Sequence, residues 1–379
     1  MKILIVGAGI GGLSLAAFLK DSNIDYDIIE KCPNWDHQGY SLSIWNNGRN
    51  ILKKLGLEEI FDKSGKRIKF YYIYNGQGRL LRKYSLSSFY AKYGMALTLT
   101  SRKDVHDWLW SKVDSSKVKM NTTIETIDQD DSGVTVVFNN KELKKYDLVV
   151  GADGIHSTTR SLVFKNYILS STKWRVWWMW VDNKFKTEAS VSEYIEPGEF
   201  VSLFDSGEKT LAIISALDKN EDENNSKTKI QSLKEIFKDE VSISPEIFNN
   251  LKDEDVVSSI LIHINLKTWA NGRVVLLGDA AHGFEPHAGI GGSMALEDGY
   301  VLAGELMKVS DTYPLTLALR NYEVARKKRV KIAQHLTNKM KAWGLVKSKP
   351  LRKVLNFIAP YFPESYFVKD YDKLLKQEI

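Results

Sequence analysis

Cysteine is nearly absent from this chain of 379 residues, in which Cys32 stands alone. That single thiol excludes an intrachain disulfide, a CxxC redox pair and a cysteine-based zinc cluster. No stretch reaches the roughly 18 consecutive apolar residues that cross a membrane. The first apolar stretch, residues 3–19, is interrupted by glycines that would weaken a signal-peptide helix. We therefore expect a cytoplasmic protein without a metal site.

Charge of one sign is also scarce, because the net charge is only +6. Residues 321–379 hold 14 basic and 5 acidic side chains, which leaves the rest of the chain slightly acidic. This balance argues against a nucleic-acid partner. A basic, partly apolar tail could lie on a membrane surface, but a solvated helix that caps the first domain is the expectation we favour. The sequence leaves open whether the protein is a monomer or a homodimer.

The hydrophobic content of 43% at this length predicts a globular protein of two domains, and the order of its segments predicts the α/β class. An apolar run, a glycine-rich turn and an amphipathic segment open the chain and predict a Rossmann-like βαβ unit. We expect a cofactor-binding domain built from residues 1–70, 99–172 and 262–335. A β-rich domain would be formed by residues 71–98 and 173–261, followed by C-terminal helices over 336–379. The apolar segments VTVVF and DLVVG resemble strands that return to the first sheet.

The strongest local motif is GxGxxG, formed by Gly7, Gly9 and Gly12 with Ile10 and Gly11 between them. It follows an apolar strand and precedes a helix, where backbone N–H groups can bind a pyrophosphate. Alone, such a motif is also compatible with a tight βα turn. Glu30 closes the second strand, where a carboxylate can accept hydrogen bonds from ribose hydroxyls, and this addition favours dinucleotide binding.

Two later segments repeat the pattern of a buried strand that ends in a polar turn. The first delivers Asp153 and Gly154, and the second delivers Asp279. Pro286 and a glycine-rich turn follow, before a helix that begins near Ser293. Ligands bind open α/β sheets at the carboxyl ends of strands, and a helix N-terminus attracts electron-rich atoms.

In that order, GAGIGG, GADG and GDAAH resemble the three fingerprints of the FAD-dependent class A flavoprotein monooxygenases. This family of aromatic hydroxylases is typified by the salicylate, urate and 4-hydroxybenzoate hydroxylases. The segments GYSLSIWNNGRNILKKLGL, LTLTSRKDVHDWL and NYEVARKKRV are similar to the family as well. The resemblance covers residues 1 to about 330 and implies a glutathione-reductase-type FAD-binding domain with an inserted, mainly β substrate domain.

The resemblance also implies a role for each matching residue. Gly7, Gly9 and Gly12, with Ile10 and Gly11, would hold the FAD pyrophosphate, and Glu30 with Lys31 the adenosine ribose. Ser43 would lie along the flavin, Arg102 would contact the phosphate or flavin side, and Ile124 would sit by the adenine. Asp153 and Gly154 would serve FAD and the reducing nicotinamide, and Asp279 the ribityl or pyrophosphate region. Pro286 and Gly289, Ile290, Gly291, Gly292 and Ser293 would surround the pyrimidine end of the flavin.

The substrate pocket departs from the family at several positions. Where the family often has a Trp-Arg pair, this chain has Trp177 and Trp178, so an anchored substrate carboxylate is not expected unless Arg175 takes that role. Gly289–Gly291 reads Gly-Ile-Gly instead of the usual Gly-Gln-Gly. Pro286, Trp177, Trp178 and His287 are the candidate substrate contacts, and His287 is a candidate catalytic base. On a strand, Trp178 and Trp177 face opposite sides.

The resemblance implies a reaction in which NADPH or NADH reduces FAD and O2 then forms a flavin C4a-hydroperoxide. This species would hydroxylate an aromatic or heteroaromatic small molecule. One alternative is a reductase of the same fold that inserts no oxygen. A second alternative is a non-enzymatic binding protein on this fold.

Overall fold

The computed structural model describes residues 1–34, 41–182, 189–205, 209–217, 228–236, 250–346, 348–361 and 364–376. In chain order its strands are β1 (Lys2–Val6), β2 (Asp25–Ile29), β3 (Ser41–Ile44), β4 (Lys66–Arg67), β5 (Phe70–Asn75), β6 (Leu80–Ser85), β7 (Thr98–Ser101), β8 (Val118–Lys119), β9 (Ile124–Asp130), β10 (Gly133–Phe138), β11 (Leu143–Tyr146), β12 (Leu148–Gly151), β13 (Tyr167–Asp182), β14 (Ser190–Glu196), β15 (Glu199–Asp205), β16 (Lys209–Leu217), β17 (Val256–Leu266), β18 (Ala270–Asn271) and β19 (Val274–Leu276).

The helices alternate with these strands in the first half of the chain and dominate its end. They are α1 (Ile10–Leu19), α2 (Asn46–Lys54), α3 (Glu58–Ser64), α4 (Ser87–Tyr93), α5 (Arg102–Trp110), α6 (Thr158–Val163), α7 (Lys229–Ile236), α8 (Asp279–His282), α9 (Gly291–Leu306), α10 (Leu315–Gly344), α11 (Lys349–Ile358) and α12 (Glu364–Leu375). The predicted α/β class is confirmed.

The first sheet has the order β18-β19-β12-β1-β2-β8, and its strands from β19 to β8 are parallel. Helix α1 crosses from β1 to β2, as the glycine-rich opening predicts. Because helices cover a parallel sheet on its faces, β1 is apolar after Lys2, and Ile3, Leu4 and Ile5 are fully buried. Helix α1 packs closely on α9, where the Ser14 hydroxyl donates to the Leu296 carbonyl at 3.0 Å.

A separate three-stranded meander, β9-β10-β11, lies between β8 and β12 in the chain. It contains VTVVF, so the prediction that this segment returns to the first sheet is wrong, whereas DLVVG supplies β12 and does return. The two-residue turn between β9 and β10 pairs them as an antiparallel hairpin. Val134 and Val136 are fully buried on one side of β10, while Thr135 and Val137 are less buried. The apolar composition of VTVVF suits a strand in either sheet. The two-residue turn before it joins β10 to β9 as an antiparallel hairpin, whereas a return to the parallel sheet would need a longer crossover.

The β-rich region forms a seven-stranded sheet of order β17-β13-β16-β15-β14-β5-β6. Its pairs are antiparallel except for β14 with β5, which are parallel. Strands β13 and β17 extend across the boundaries expected at residues 172 and 261, with an irregularity in their pairing between Ser171 and Arg175. The domain limits therefore stay a prediction, with these two long strands as the physical link between the two regions. A smaller sheet, β3-β7-β4, completes the β structure of the described residues.

The C-terminal region is helical, and α11 presents an apolar stripe to solvent. Leu351, Val354 and Phe357 on this helix are 50%, 54% and 70% exposed. Those side chains, beside the exposed Lys353, supply the apolar and basic groups of the membrane-surface alternative, while the solvated helix stays the favoured prediction. Among the described residues, no helix is both long enough and apolar enough to span a bilayer.

Candidate active site

Three motifs that are distant in sequence meet at one edge of the first sheet. Val6, Gly151 and Leu276 are in register on the adjacent parallel strands β1, β12 and β19. The turns that follow these strands therefore lie side by side. They line a common cavity of about 430 Å³ that extends from the first sheet to the seven-stranded sheet.

The opening turn needs glycine because protein backbone lies against it. Gly7 has a φ of +101°, and a Cβ at this position would lie 2.6 Å from the Ala152 carbonyl oxygen. A Cβ on Gly12 would lie 2.1 Å from the Gly7 carbonyl oxygen. These two glycines let the first turn pack on the second motif.

Gly9 differs, because no protein atom lies within 4 Å of the position that a Cβ would take there. It lines the cavity together with Ile10 and Gly11 at the start of α1. The N–H groups of a first helical turn have no partner within the helix. The turn thus offers an open cradle with backbone donors, which fits a pyrophosphate group.

Glu30 holds the opening turn from the end of β2. Its Oε2 accepts a hydrogen bond from the Ala8 N–H and its Oε1 one from the Cys32 N–H, both at 3.0 Å. Each carboxylate oxygen can accept a second hydrogen bond, so a ribose contact is still available. The exposed Lys31 follows, while Ile124 is buried in the main core. Neither Glu30 nor Ile124 lines the cavity, and their adenosine roles stay predictions.

Of the adjacent residues Asp153 and Gly154, only Gly154 lines the cavity. The Asp153 carboxylate accepts hydrogen bonds from the Ser157 hydroxyl at 2.5 Å and from the Thr159 N–H at 2.9 Å. These bonds hold the side chain at the start of α6, and Asp153 is not among the residues that line the cavity, so its role toward FAD and the nicotinamide stays a prediction. Gly154, with a φ of +78°, does line the cavity.

Asp279 is accessible from the cavity and begins α8 directly after Gly278. The surrounding protein raises the pKa of its carboxyl by desolvation, and His282 and Arg102 oppose this rise. Arg102 reaches the same cavity from the start of α5. A carboxylate beside a guanidinium can bind sugar hydroxyls and phosphate oxygens at neighbouring points.

The third glycine-rich turn leads into α9. Gly289, Gly291 and Gly292 line the cavity, as does Ser43, and a Cβ on Gly291 would meet no protein atom within 4 Å. Ile290 and Ser293 are fully buried and do not line it.

The Ser293 hydroxyl accepts a hydrogen bond from the Trp45 N–H at 3.2 Å, so its side chain anchors α2. The first N–H groups of α9 face the cavity and carry the positive end of the helix dipole, which fits the electron-rich end of a flavin.

A buried charge network supports this turn, and no local motif of the chain predicted it. Asp298 accepts hydrogen bonds from the Gly278 N–H at 2.8 Å and from Arg326 Nε at 2.6 Å, and His282 Nε2 lies 2.6 Å away. Burial would raise the pKa of Asp298, but His282 and Arg326 outweigh it and hold the pKa at about 2. Glu297 pairs with Arg326 and Arg329. The network thereby fixes the position of Asp279.

The far wall of the cavity is one face of the seven-stranded sheet. Trp178 lines it, together with Phe200, Phe204, Ile213 and Leu261. Trp177 lies on the opposite face, 2% exposed, in a second core with Met179. The expectation that Trp177 contacts substrate is therefore corrected, because side chains alternate along β13 and only the Trp178 face meets the cavity.

Pro286 and His287 join the two ends of the cavity. The His287 ring contacts those of Trp174 and Phe200 edge-on, with centroids 6.0 and 5.4 Å away. Its Nδ1 lies 3.3 Å from Glu285 Oε2, and neither ring nitrogen forms a hydrogen bond within the described part of the chain. Desolvation, with a smaller effect of Lys341, lowers the pKa of His287 to about 4. The imidazole is thus neutral at pH 7 and able to accept a proton or a hydrogen bond.

This low pKa predicts acid sensitivity that His287→Gln should reduce. Between pH 6.5, the ordinary histidine value, and about pH 4, the unfolded chain binds a proton that the folded chain does not. Stability is therefore lost as pH falls through this window, by about 2 kcal/mol between pH 7 and pH 5 for this group. Urea denaturation at pH 7 and at pH 5 measures how much the free energy of unfolding falls between them. If His287→Gln loses as much stability as the wild type over this range, His287 is not the source of the acid sensitivity.

The structure adds a pair of cavity residues that the sequence did not indicate, Glu193 on β14 and Tyr71 on β5. Their side chains are hydrogen-bonded to each other. The residues are 122 positions apart in the chain and meet only because β5 and β14 pair in parallel. The two acidic residues of SVSEYIE, Glu193 and Glu196, were the available signal, but they did not tell which face of the strand meets a cavity.

Comparisons with known proteins agree with this geometry. A family model described as FAD binding domain matches residues 1–337. An FAD-dependent urate hydroxylase of Klebsiella pneumoniae subsp. pneumoniae is 26% identical over 358 residues, which are 87% of this chain and 87% of that protein. An FAD-dependent monooxygenase of Penicillium janthinellum, janM, is 29% identical over 372 residues, with 87% and 74% of the two chains covered.

Solved structures show the same fold. The crystal structure of Klebsiella pneumoniae HpxO complexed with FAD and uric acid superposes with a TM-score of 0.88 at 24% identity. The superposition covers 99% of this chain and 97% of that one.

Proposed function

This chain belongs to the FAD binding domain family and is an FAD-dependent monooxygenase, and from that premise we propose that it hydroxylates an aromatic or heteroaromatic small molecule with NADPH or NADH and O2. The observation that carries the proposal is the single cavity that joins the cofactor-binding turns to the aromatic sheet face. A relative that acts on urate supports a heteroaromatic ring as the substrate.

The cofactor end of the cavity is formed by backbone donors and two charged side chains. Gly9 and the start of α1 would hold the pyrophosphate, Asp279 and Arg102 the ribityl and phosphate region, and Gly291 with Gly292 the pyrimidine end of the flavin. When bound and reduced, FAD supplies the electrons that activate O2 for insertion into the ring. The N–H groups at the start of α9 would stabilise negative charge at the ring carbonyls.

The substrate end is mainly apolar. Trp178, Phe200 and Phe204 offer flat surfaces on which an aromatic ring can pack, and they limit the access of water to the reacting atoms. Pro286 and His287 stand between this end and the flavin-binding turn. A neutral His287 is suited to accept a hydrogen bond from a ring hydroxyl or N–H group.

NADH and NADPH oxidation by the FAD-loaded protein in air, over a panel of phenols, purines, indoles and quinolines, tests the proposal. We expect at least one compound to accelerate the oxidation and to gain one oxygen atom, as detected by mass spectrometry. Accelerated oxidation with a product that gains hydrogen but no oxygen would favour the reductase alternative. A purified protein that neither retains nor binds FAD would favour the non-enzymatic alternative.

A further inference from the structure

Three acidic side chains line the cavity, and two of them have a cation of the protein beside them. Arg102 and His282 act on Asp279. Lys341 Nζ lies 2.6 Å from Glu285 Oε1. Glu193 differs, since the groups of the described chain that interact with its carboxyl are the hydroxyls of Tyr71, Ser202 and Tyr371, with no lysine, arginine or histidine among them.

Glu193 is half-buried, and it lines the cavity. The Ser202 hydroxyl donates to its Oε1 at 3.2 Å, and the buried Tyr71 hydroxyl hydrogen-bonds the same carboxyl. Desolvation raises the pKa of Glu193, while the two hydroxyls lower it. Removing a carboxylate from water without a cation is unfavourable, so a complementary group on a bound molecule would be favoured.

Glu193 is also part of an ordered row across the sheet. The register pairs Glu193 with Ser202, Ser202 with Ile213, and Ile213 with Trp178, on four adjacent strands. All four residues line the cavity. Strands in a sheet are about 4.8 Å apart, so roughly 14 Å separates the backbones of Glu193 and Trp178. The row therefore presents an indole at one end and a hydrogen-bond acceptor at the other.

We propose that Glu193 is a specificity-determining residue that accepts a hydrogen bond from an N–H or O–H group, or pairs with a cation, on a ring compound packed against Trp178 and Ile213. The inference rests on the proposed function and narrows its substrate class. The site binds neutral or cationic ring compounds that place a hydrogen-bond donor next to Glu193. It rejects ring compounds that place a carboxylate next to Glu193, because two carboxylates would share a poorly solvated space.

Ring-matched compounds that differ in charge test this directly. We choose tyramine, tyrosol and 4-hydroxyphenylacetate, and the indole set tryptamine, tryptophol and indole-3-acetate. Binding to the FAD-loaded protein is followed by the change in flavin absorbance and by the shift in Tm. We expect the amine or alcohol of each set to bind at least about tenfold more tightly than the acid, and Glu193→Gln to reduce that ratio by about tenfold.

Two further variants keep the test independent of folding defects. Glu196→Gln makes the same change on the same strand, at a residue that is outside the cavity lining, and we expect it to leave the preference unchanged. Tyr71→Phe removes one donor from the carboxyl, and we expect it to increase the preference for the amine.

Acids that bind as tightly as their partner amines, or a preference that Glu193→Gln does not alter, would overturn the proposal. Binding is measured without turnover. A failure of oxygen insertion would therefore refute the proposed function, but the preference between amines and acids could still be measured.

Discussion

Replacing Arg326 with leucine should lower the free energy of unfolding by about 3–5 kcal/mol, the cost of leaving a buried carboxylate without its cation. Arg326 is fully buried, its Nε donates to Asp298 at 2.6 Å, and its terminal nitrogen donates to Glu297. Both carboxylates belong to α9, whose first turn lines the cofactor end of the cavity. Urea denaturation followed by tryptophan fluorescence measures the loss.

Lys328→Leu is the matched control, since Lys328 lies two residues further along α10 and is exposed. Its effect should stay within about 0.5 kcal/mol. Arg326→Lys retains the charge but loses the planar fork, and we expect an intermediate loss. A loss below about 1 kcal/mol for Arg326→Leu would show that the network contributes little to stability.

Replacing Gly9 with alanine should weaken FAD binding by about 100-fold without destabilising the protein from which FAD has been removed. The backbone at Gly9, with φ −75° and ψ −175°, suits alanine, and no protein atom lies within 4 Å of the added Cβ. The methyl group would enter the space where the pyrophosphate is expected, and overpacking of that kind costs about 1–3 kcal/mol. Fluorescence titration with FAD and the Tm of the FAD-free protein measure the two effects.

Gly304→Ala serves as its control, because Gly304 lies within α9 and its added Cβ also meets no protein atom within 4 Å. It is absent from the cavity lining, so FAD affinity should stay at the wild-type value. Equal FAD affinities of Gly9→Ala and the wild type would place the cofactor elsewhere.

The sequence predicted those parts of the fold and site that depend on neighbouring residues. A strand, a glycine turn and a helix follow one another within residues 2–19, so local chemistry alone indicated the βαβ unit and its cradle. Gly9, Asp279 and Gly291 were predicted for the same reason, because each lies at the start of a helix that follows a strand end or a glycine-rich turn. These three do line the cavity.

Features that depend on the pairing and packing of distant segments were not predictable from local sequence. Alternation separated Trp177 from Trp178, but only the packing of the sheet showed which of the two meets the cavity. The contact of Glu193 with Tyr71 arises from a parallel pairing of distant strands. Asp153 follows a buried strand as Asp279 does, yet its carboxylate accepts hydrogen bonds from Ser157 and Thr159, and only Asp279 lines the cavity.

Oxygen labelling tests whether the protein inserts one atom of O2 into its substrate. The FAD-loaded protein is supplied with NADH or NADPH under ¹⁸O2, together with the ring compounds that accelerate the oxidation, and the products are analysed by mass spectrometry. We expect one ¹⁸O atom in each molecule of product. A product that carries oxygen from water, or no oxygen-containing product despite rapid oxidation of the nicotinamide, would contradict it.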